Sequence, residues 1–232
     1  MFPCVTITII KVIRFTILMV VLVCAAHPDD EIIGCGGLIA KYSKREKVIV
    51  AIFSYGTSRA WQKLMQPEKR LTKEKIREIR KKECAAAAKI VGISKTYFLR
   101  AGDLRILDHK DMAKKKIKTI IRKYKPKTIV YHSKNDAHID HKSVNKIMTD
   151  VVNELRYKPK VLTYKINLAL FKSVGNKIVV DITDSFDKKL LALKKFKSQR
   201  RALNFYIFLI RLRCLINGLK AGCRYGEGFY EE

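Results

Sequence analysis

The sequence predicts an α/β fold, and three observations predict it. Short aliphatic runs recur that are continuous rather than alternating, segments with helical spacing separate them, and no internal repeat or linker interrupts the series. Strands that are apolar throughout belong in a parallel sheet covered by helices on both faces. The expected architecture is a Rossmann-like three-layer sandwich with a mostly parallel sheet. In such sheets ligands bind outside the carboxyl ends of the strands.

The elements follow in order. The first strand is predicted over Phe15–Ala26, the uninterrupted part of an apolar stretch that Lys11 and Arg14 break. Those twelve residues fall short of the ~20 needed to span a bilayer. Cleavage of a leader after Ala26 would remove the strand that feeds the residues discussed below, so residues 1–14 are read as a hydrophobic N-terminal extension and 15–232 as one domain. A helix over Glu31–Ser43 opens with Gly34, Gly36 and Gly37, which permit close backbone approach. Further strands are predicted at Lys47–Phe53, Lys95–Leu99, Lys127–His132, Val161–Tyr164 and Lys177–Asp181. Helices are predicted at Thr72–Val91, stopped by Gly92, and at Asp111–Tyr124 and His141–Leu155, each followed by a proline. Asp184–Gln199 reads as another helix, and Leu203–Leu219 as an apolar one expected to pack on the core rather than lie on a membrane.

Composition narrows the class of partners. A formal net charge of +28 favours adhesion to polyanions. The lysines are nevertheless scattered over helix faces, without the arginine–aromatic interleaving that stacks bases, so no specific nucleic acid partner is expected. Six cysteines without C-x-x-C spacing read as reduced thiols of a cytoplasmic protein, with membrane association through residues 1–14 or Leu203–Leu219 as the variant of that expectation. No heptad or repeat marks an oligomer interface.

Chemistry concentrates in two short segments. His27-Pro-Asp-Asp-Glu31 follows the first strand, and Asp136-Ala-His-Ile-Asp-His141 follows the fourth, so the topology sets both at one edge of the sheet. Alone, the first could be a turn capping a helix and the second a solvated helix start. Together they supply His27, Asp30 and His141 as three nitrogen and oxygen donors suited to Zn²⁺ or another divalent ion with an open position for water. Asp29, between two of those donors, is placed to take a proton from water as general base. His138 would sit beside the metal as an imidazolium that stabilises an oxyanion, with Asp136 and Asp140 orienting it and keeping its pKa raised. The combination is that of a metal-dependent hydrolase.

These motifs resemble the signature of the PIG-L/LmbE family of zinc-dependent N-acetylglucosaminyl deacetylases. Weaker matches continue in order: Arg80-x-x-Glu83, Phe98-Leu99 with Asp103, Ser198-Gln199, and Tyr225-Gly-Glu-Gly-Phe229. The resemblance implies zinc on His27, Asp30 and His141, with Asp29 as base and His138 against the intermediate. It implies a small-molecule or glycolipid N-acetylglucosaminyl substrate, contacted by Asp103 and by Arg59. Two readings from other classes stand beside it: a noncatalytic basic polyanion-binding protein on the same fold, and a membrane-associated glycolipid deacetylase.

Overall fold

The computed structural model describes residues 19–58, 63, 71–166 and 177–231. Its strands are β1 (Val20–Ala25), β2 (Lys47–Ile52), β3 (Lys95–Phe98), β4 (Thr128–His132), β5 (Lys160–Tyr164), β6 (Lys177–Asp181) and β7 (Gly226–Glu231). Its helices are α1 (Asp30–Tyr42), α2 (Lys73–Val91), α3 (Lys110–Tyr124), α4 (Ile139–Asn153), α5 (Phe186–Leu193) and α6 (Arg200–Lys220). The seven strands form one sheet in the order β3-β2-β1-β4-β5-β7-β6. Neighbours from β3 to β5 pair in parallel, and only β7 runs against its neighbours. The predicted fold class is the observed one.

Residue alternation along β1 shows why its sequence is apolar throughout. Val21, Val23 and Ala25 enter a core shared with α1, α2, α5 and α6, whereas Leu22, Cys24 and Ala26 enter the core under α3 and α4. Each fully buried aliphatic side chain of this kind contributes roughly 1.5–3 kcal/mol. α1 crosses the sheet at short range: a Cβ on Gly34 would fall 2.1 Å from Tyr164 Cδ2, and one on Gly37 2.6 Å from Ile182 Cδ1. The described cysteines Cys24, Cys35, Cys84, Cys214 and Cys223 are free thiols, as expected.

Three elements depart from expectation. Asp184–Gln199 is not one helix; α5 ends at Leu193, and a short 3₁₀ turn at Lys197–Gln199 precedes α6. The break brings Ser198 to α2, where its N–H and Oγ donate to Glu83 at 2.7 and 2.6 Å. β7 was not anticipated, since glycine is depleted in strands. Here Gly226 is needed: an added Cβ would lie 2.5 Å from Val179 Cγ1 and 3.0 Å from the Gly218 backbone nitrogen. α6 packs on the core by one side only, with Leu203, Ile210 and Cys214, while its other side is exposed. Residues 1–18, including the predicted extension and the start of the first strand, lie outside the described residues.

Candidate metal and catalytic centre

The strand order reverses at β1 and β4: β2 and β3 lie to one side, β5 to the other. Chain leaving β1 reaches His27, and chain leaving β4 passes His132 to Asp136 and the start of α4. A crevice at such a reversal is where open α/β sheets bind ligands.

The turn after β1 is strained. Asp29 has φ 112° and ψ −31°, a conformation that costs a non-glycine residue of order 1–3 kcal/mol. It is held from both sides. Asp29 N–H donates to Glu31 Oε2 at 3.0 Å, and Arg80 Nη1 donates to Asp29 Oδ2 at 3.3 Å while Nη2 donates to the Pro28 carbonyl. Although Asp29 occupies the N-cap position of α1, its side chain makes no capping bond. The helix-cap reading of the motif therefore fails.

Asp30 Oδ2 stands between two imidazoles, 3.3 Å from His27 Nδ1 and 3.2 Å from His141 Nε2. The far nitrogens of both rings face carboxylates. His27 Nε2 lies 3.0 Å from Asp140 Oδ2 and 3.1 Å from Asp103 Oδ1, and His141 Nδ1 lies 2.9 Å from Asp136 Oδ1. Carboxylates behind ligand histidines fix their tautomer and orientation. Donors bonded at ~2.0–2.1 Å to a tetrahedral ion stand about 3.3–3.4 Å apart, close to the separations seen here. The residues present fit a divalent ion of the zinc class on His27, Asp30 and His141.

The field in the crevice agrees. Burial works against protonating His27, yet Asp103, Asp140 and Asp30 hold its pKa well above the usual imidazole value. Burial likewise opposes His141, but Asp30 and Asp136 push it up to about 9. Asp30 is buried and still held well below the carboxylate range by His141, His132 and His27. The centre thus favours positive charge between its histidines. Burial lifts Asp29 to about 6 against the pull of Arg80, and burial with the charge of Asp29 lifts Glu31 to about 8.

His138 differs from expectation. α4 begins at Ile139, two residues before the predicted start, so His138 becomes its N-cap. Its Nδ1 accepts the Asp140 N–H at 3.1 Å, and its own N–H donates to Asp136 Oδ1 at 3.2 Å. Backbone, not a carboxylate side chain, orients the ring. Asp136 and Asp140 serve the other imidazoles instead. The His138 pKa is lowered rather than raised, by burial and by the charges of His141 and His27. A ring that accepts at Nδ1 is neutral and carries its proton on Nε2.

A cavity of about 400 Å³ opens over the centre, with His27, Asp29, Asp30, Arg80, Asp103, His138 and His141 in its wall and Leu203 and Tyr206 of α6 on the far side. Asp103, which the resemblance assigns to a substrate contact, lines the cavity, while its Oδ1 also accepts from Ser54 Oγ at 3.1 Å. Arg59 lies outside the described residues. Sequence reasoning assigned no role to Arg80, although its place in the R-x-x-E match was the available signal, nor to Glu31. His132, the last residue of the fourth predicted strand, also joins the centre. It stacks on His141 with centroids 4.0 Å apart, accepts the Ala26 N–H at 3.0 Å, and is kept neutral by burial, which lowers its pKa to about 4.

Comparison with known proteins gives a consistent picture. A family model described as PIG-L, GlcNAc-PI de-N-acetylase, matches residues 22–152. A Bacillus cereus protein named probable N-acetyl-alpha-D-glucosaminyl L-malate deacetylase 2 is 27% identical over 188 residues, 79% of this chain and 84% of that one. The N,N'-diacetylchitobiose deacetylase of Pyrococcus horikoshii superimposes with a TM-score of 0.79 at 24% identity, covering 94% of this chain and 85% of that one. GalB, the 4-carboxy-2-hydroxymuconate hydratase of Pseudomonas putida KT2440, also superimposes at 0.79 with 22% identity, covering 92% of this chain and 96% of that one. Solved structures this distant show the fold alone, and the hydratase among them shows that the fold does not choose the reaction.

Proposed function

The chain belongs to the PIG-L family, and from that premise we propose that it is a metal-dependent hydrolase removing acetate from an N-acetylglucosaminyl group. The observation that carries the reading is the convergence of His27 Nδ1, Asp30 Oδ2 and His141 Nε2, with carboxylates behind both rings and the Asp29 carboxylate, held by Arg80, in the same cavity wall.

His27, Asp30 and His141 would hold a divalent ion, which would supply Lewis acidity toward the amide carbonyl and the attacking water. The protein's own groups do the rest. Asp29, with a pKa near 6, is poised to take a proton from the attacking water at neutral pH. Arg80 fixes the carboxylate at Oδ2 and holds it in its strained backbone. The neutral His138 offers its Nε2–H to the carbonyl oxygen as negative charge develops there. Protonated Asp29 then returns the proton to the amine nitrogen as the C–N bond breaks, so acetate and the free amine leave. The substrate is a small-molecule or glycolipid sugar; Asp103 at the cavity wall is the candidate contact, with Arg59 as a second.

The test is acetate release by metal-loaded protein from free N-acetylglucosamine, its disaccharide, an inositol glycoside and a lipid-linked form. Release from at least one, abolished by chelation and restored by metal, is expected. No release from any member of the panel by protein with a full equivalent of bound metal would sink the reading.

A further inference from the structure

We propose that the outer face of α6 is a docking surface for an anionic lipid bilayer, lying in the plane of its headgroups. Phe205, Phe208, Leu212, Leu215 and Leu219 recur at three- and four-residue spacing, so they form one continuous stripe. The stripe faces outward: Phe205 is 65%, Phe208 64% and Leu219 69% exposed. An isolated exposed apolar residue is ordinary, but a stripe along a whole helix marks an interaction site.

Charge selects the occupant. α6 holds Arg200, Arg201, Arg211, Arg213 and Lys220 and no acidic residue, in a chain whose net charge is +28. Arg213 turns inward to the Lys165 carbonyl at 2.7 Å, while Arg201, Arg211 and Lys220 are exposed beside the stripe. A second copy of the chain docking on this face would set arginine and lysine against arginine and lysine. An anionic headgroup layer neutralises them, and an apolar stripe flanked by cations matches an interfacial helix.

The packing of α6 also decides its attitude. By length and composition the helix could cross a membrane. Its inner side is, however, built into the protein: Leu203, Ile210 and Cys214 join the core, and Asn217 Oδ1 accepts from Lys177 Nζ at 2.7 Å. A Cβ on Gly218 would meet the Arg224 backbone at 2.7 Å, so the helix lies hard against the chain that returns to β7. Crossing would strip all of this away; lying flat costs none of it. Because Ala202, Leu203 and Tyr206 also line the cavity over the metal centre, docking brings one cavity wall to the bilayer. The surface does not depend on the deacetylase reading.

The experiment is flotation of the full chain with phosphatidylcholine vesicles containing or lacking 30% phosphatidylinositol, at low salt and at 0.5 M NaCl, beside the double variant Phe208→Ser, Leu215→Ser. General electrostatic adhesion disappears at high salt, whereas apolar insertion survives it. Wild type should stay on anionic vesicles at 0.5 M NaCl, and the double variant should partition at least about tenfold less while retaining its heparin elution and its melting temperature. p-Benzoylphenylalanine at position 208 should crosslink to lipid, and at the exposed Thr119 of α3 should not. A crosslink from 208 to a second protein chain, no lipid adduct at 208, or full release of wild type by salt would each overturn the proposal.

Discussion

Two buried clusters of charge hang on α1, and they differ in how completely they are satisfied. At the kink, where Cys35 (φ −143°, ψ 23°) breaks the helix, the N–H groups of Gly37 and Leu38 donate to Glu227 at 2.8 and 2.7 Å. Lys189 Nζ closes the cluster, donating to Glu227 Oε1 at 2.6 Å and to the Ile33 carbonyl at 2.8 Å. One ammonium meets one carboxylate, and both side chains are buried. At the amino end of α1, five aspartates (Asp29, Asp30, Asp103, Asp136 and Asp140) face four histidines and Arg80. There Asp140 Oδ1, His132 Nδ1 and Arg80 Nε are buried without a partner. Buried polar groups are ordinarily satisfied, so the unpartnered atoms mark the open cluster as the candidate for holding something besides the protein. The closed one is organised to hold a helix in place.

Substitutions should separate the two clusters. The largest effect is expected at the open one: His141→Ala should lose bound metal, read by elemental analysis, and drop acetate release to background. Asp29→Ala should lower turnover by about 10²–10⁴ while metal remains bound, which separates base from ligand. Retained turnover in that variant would remove Asp29 from the role of base. The closed cluster should answer in stability instead. Lys189→Met leaves Glu227 buried and unpaired, and urea denaturation should show a loss of about 3–5 kcal/mol. Activity per folded molecule should persist. If Lys189→Met kept full stability and lost acetate release, the contrast between the clusters would collapse. A smaller effect is expected behind the ligands: Asp140→Asn should weaken metal affinity by about 10–100-fold in a competition with chelator.

The legible part of this molecule was what short-range pattern encodes. β1 is apolar on both faces because both are buried, so the run announced a covered strand. His27 and Asp30 sit three apart at the end of that strand, and His141 is set by the reversal of strand order, so the meeting of these three side chains followed from spacing and topology. The start of α4 was misplaced because histidine is not among the usual N-cap residues, and that one shift changed the reading of His138. Arg80 reaches Asp29 across fifty-one positions, and its place in the R-x-x-E match gives no hint of that partner. Which carboxylate backs which imidazole depends on ring orientation, and spacing alone assigned Asp136 and Asp140 to the wrong ring.

The smallest predicted effect sharpens the contrast through pH. In metal-free protein the folded chain holds protons that the unfolded chain gives up. His141 titrates near 9 against an ordinary value of 6.5, Glu31 near 8 against 4.5, and His27 is shifted in the same direction. Between pH 6.5 and 9 the folded state therefore binds more protons, and stability must fall as pH rises. His132, lowered to about 4, acts in the opposite sense but only below 6.5. In the closed cluster, burial opposes the charge on Lys189 but Glu227 raises its pKa above 10.5, so that pair contributes nothing in this window. Metal binding requires neutral imidazoles and so displaces these protons. Chelator-treated protein should lose several degrees of melting temperature from pH 6.5 to 9, and metal-loaded protein should not. Parallel melting curves with and without metal would show that the protons and the ion do not share a site. Converging curves at low pH and diverging ones at high pH would place both on the same histidines.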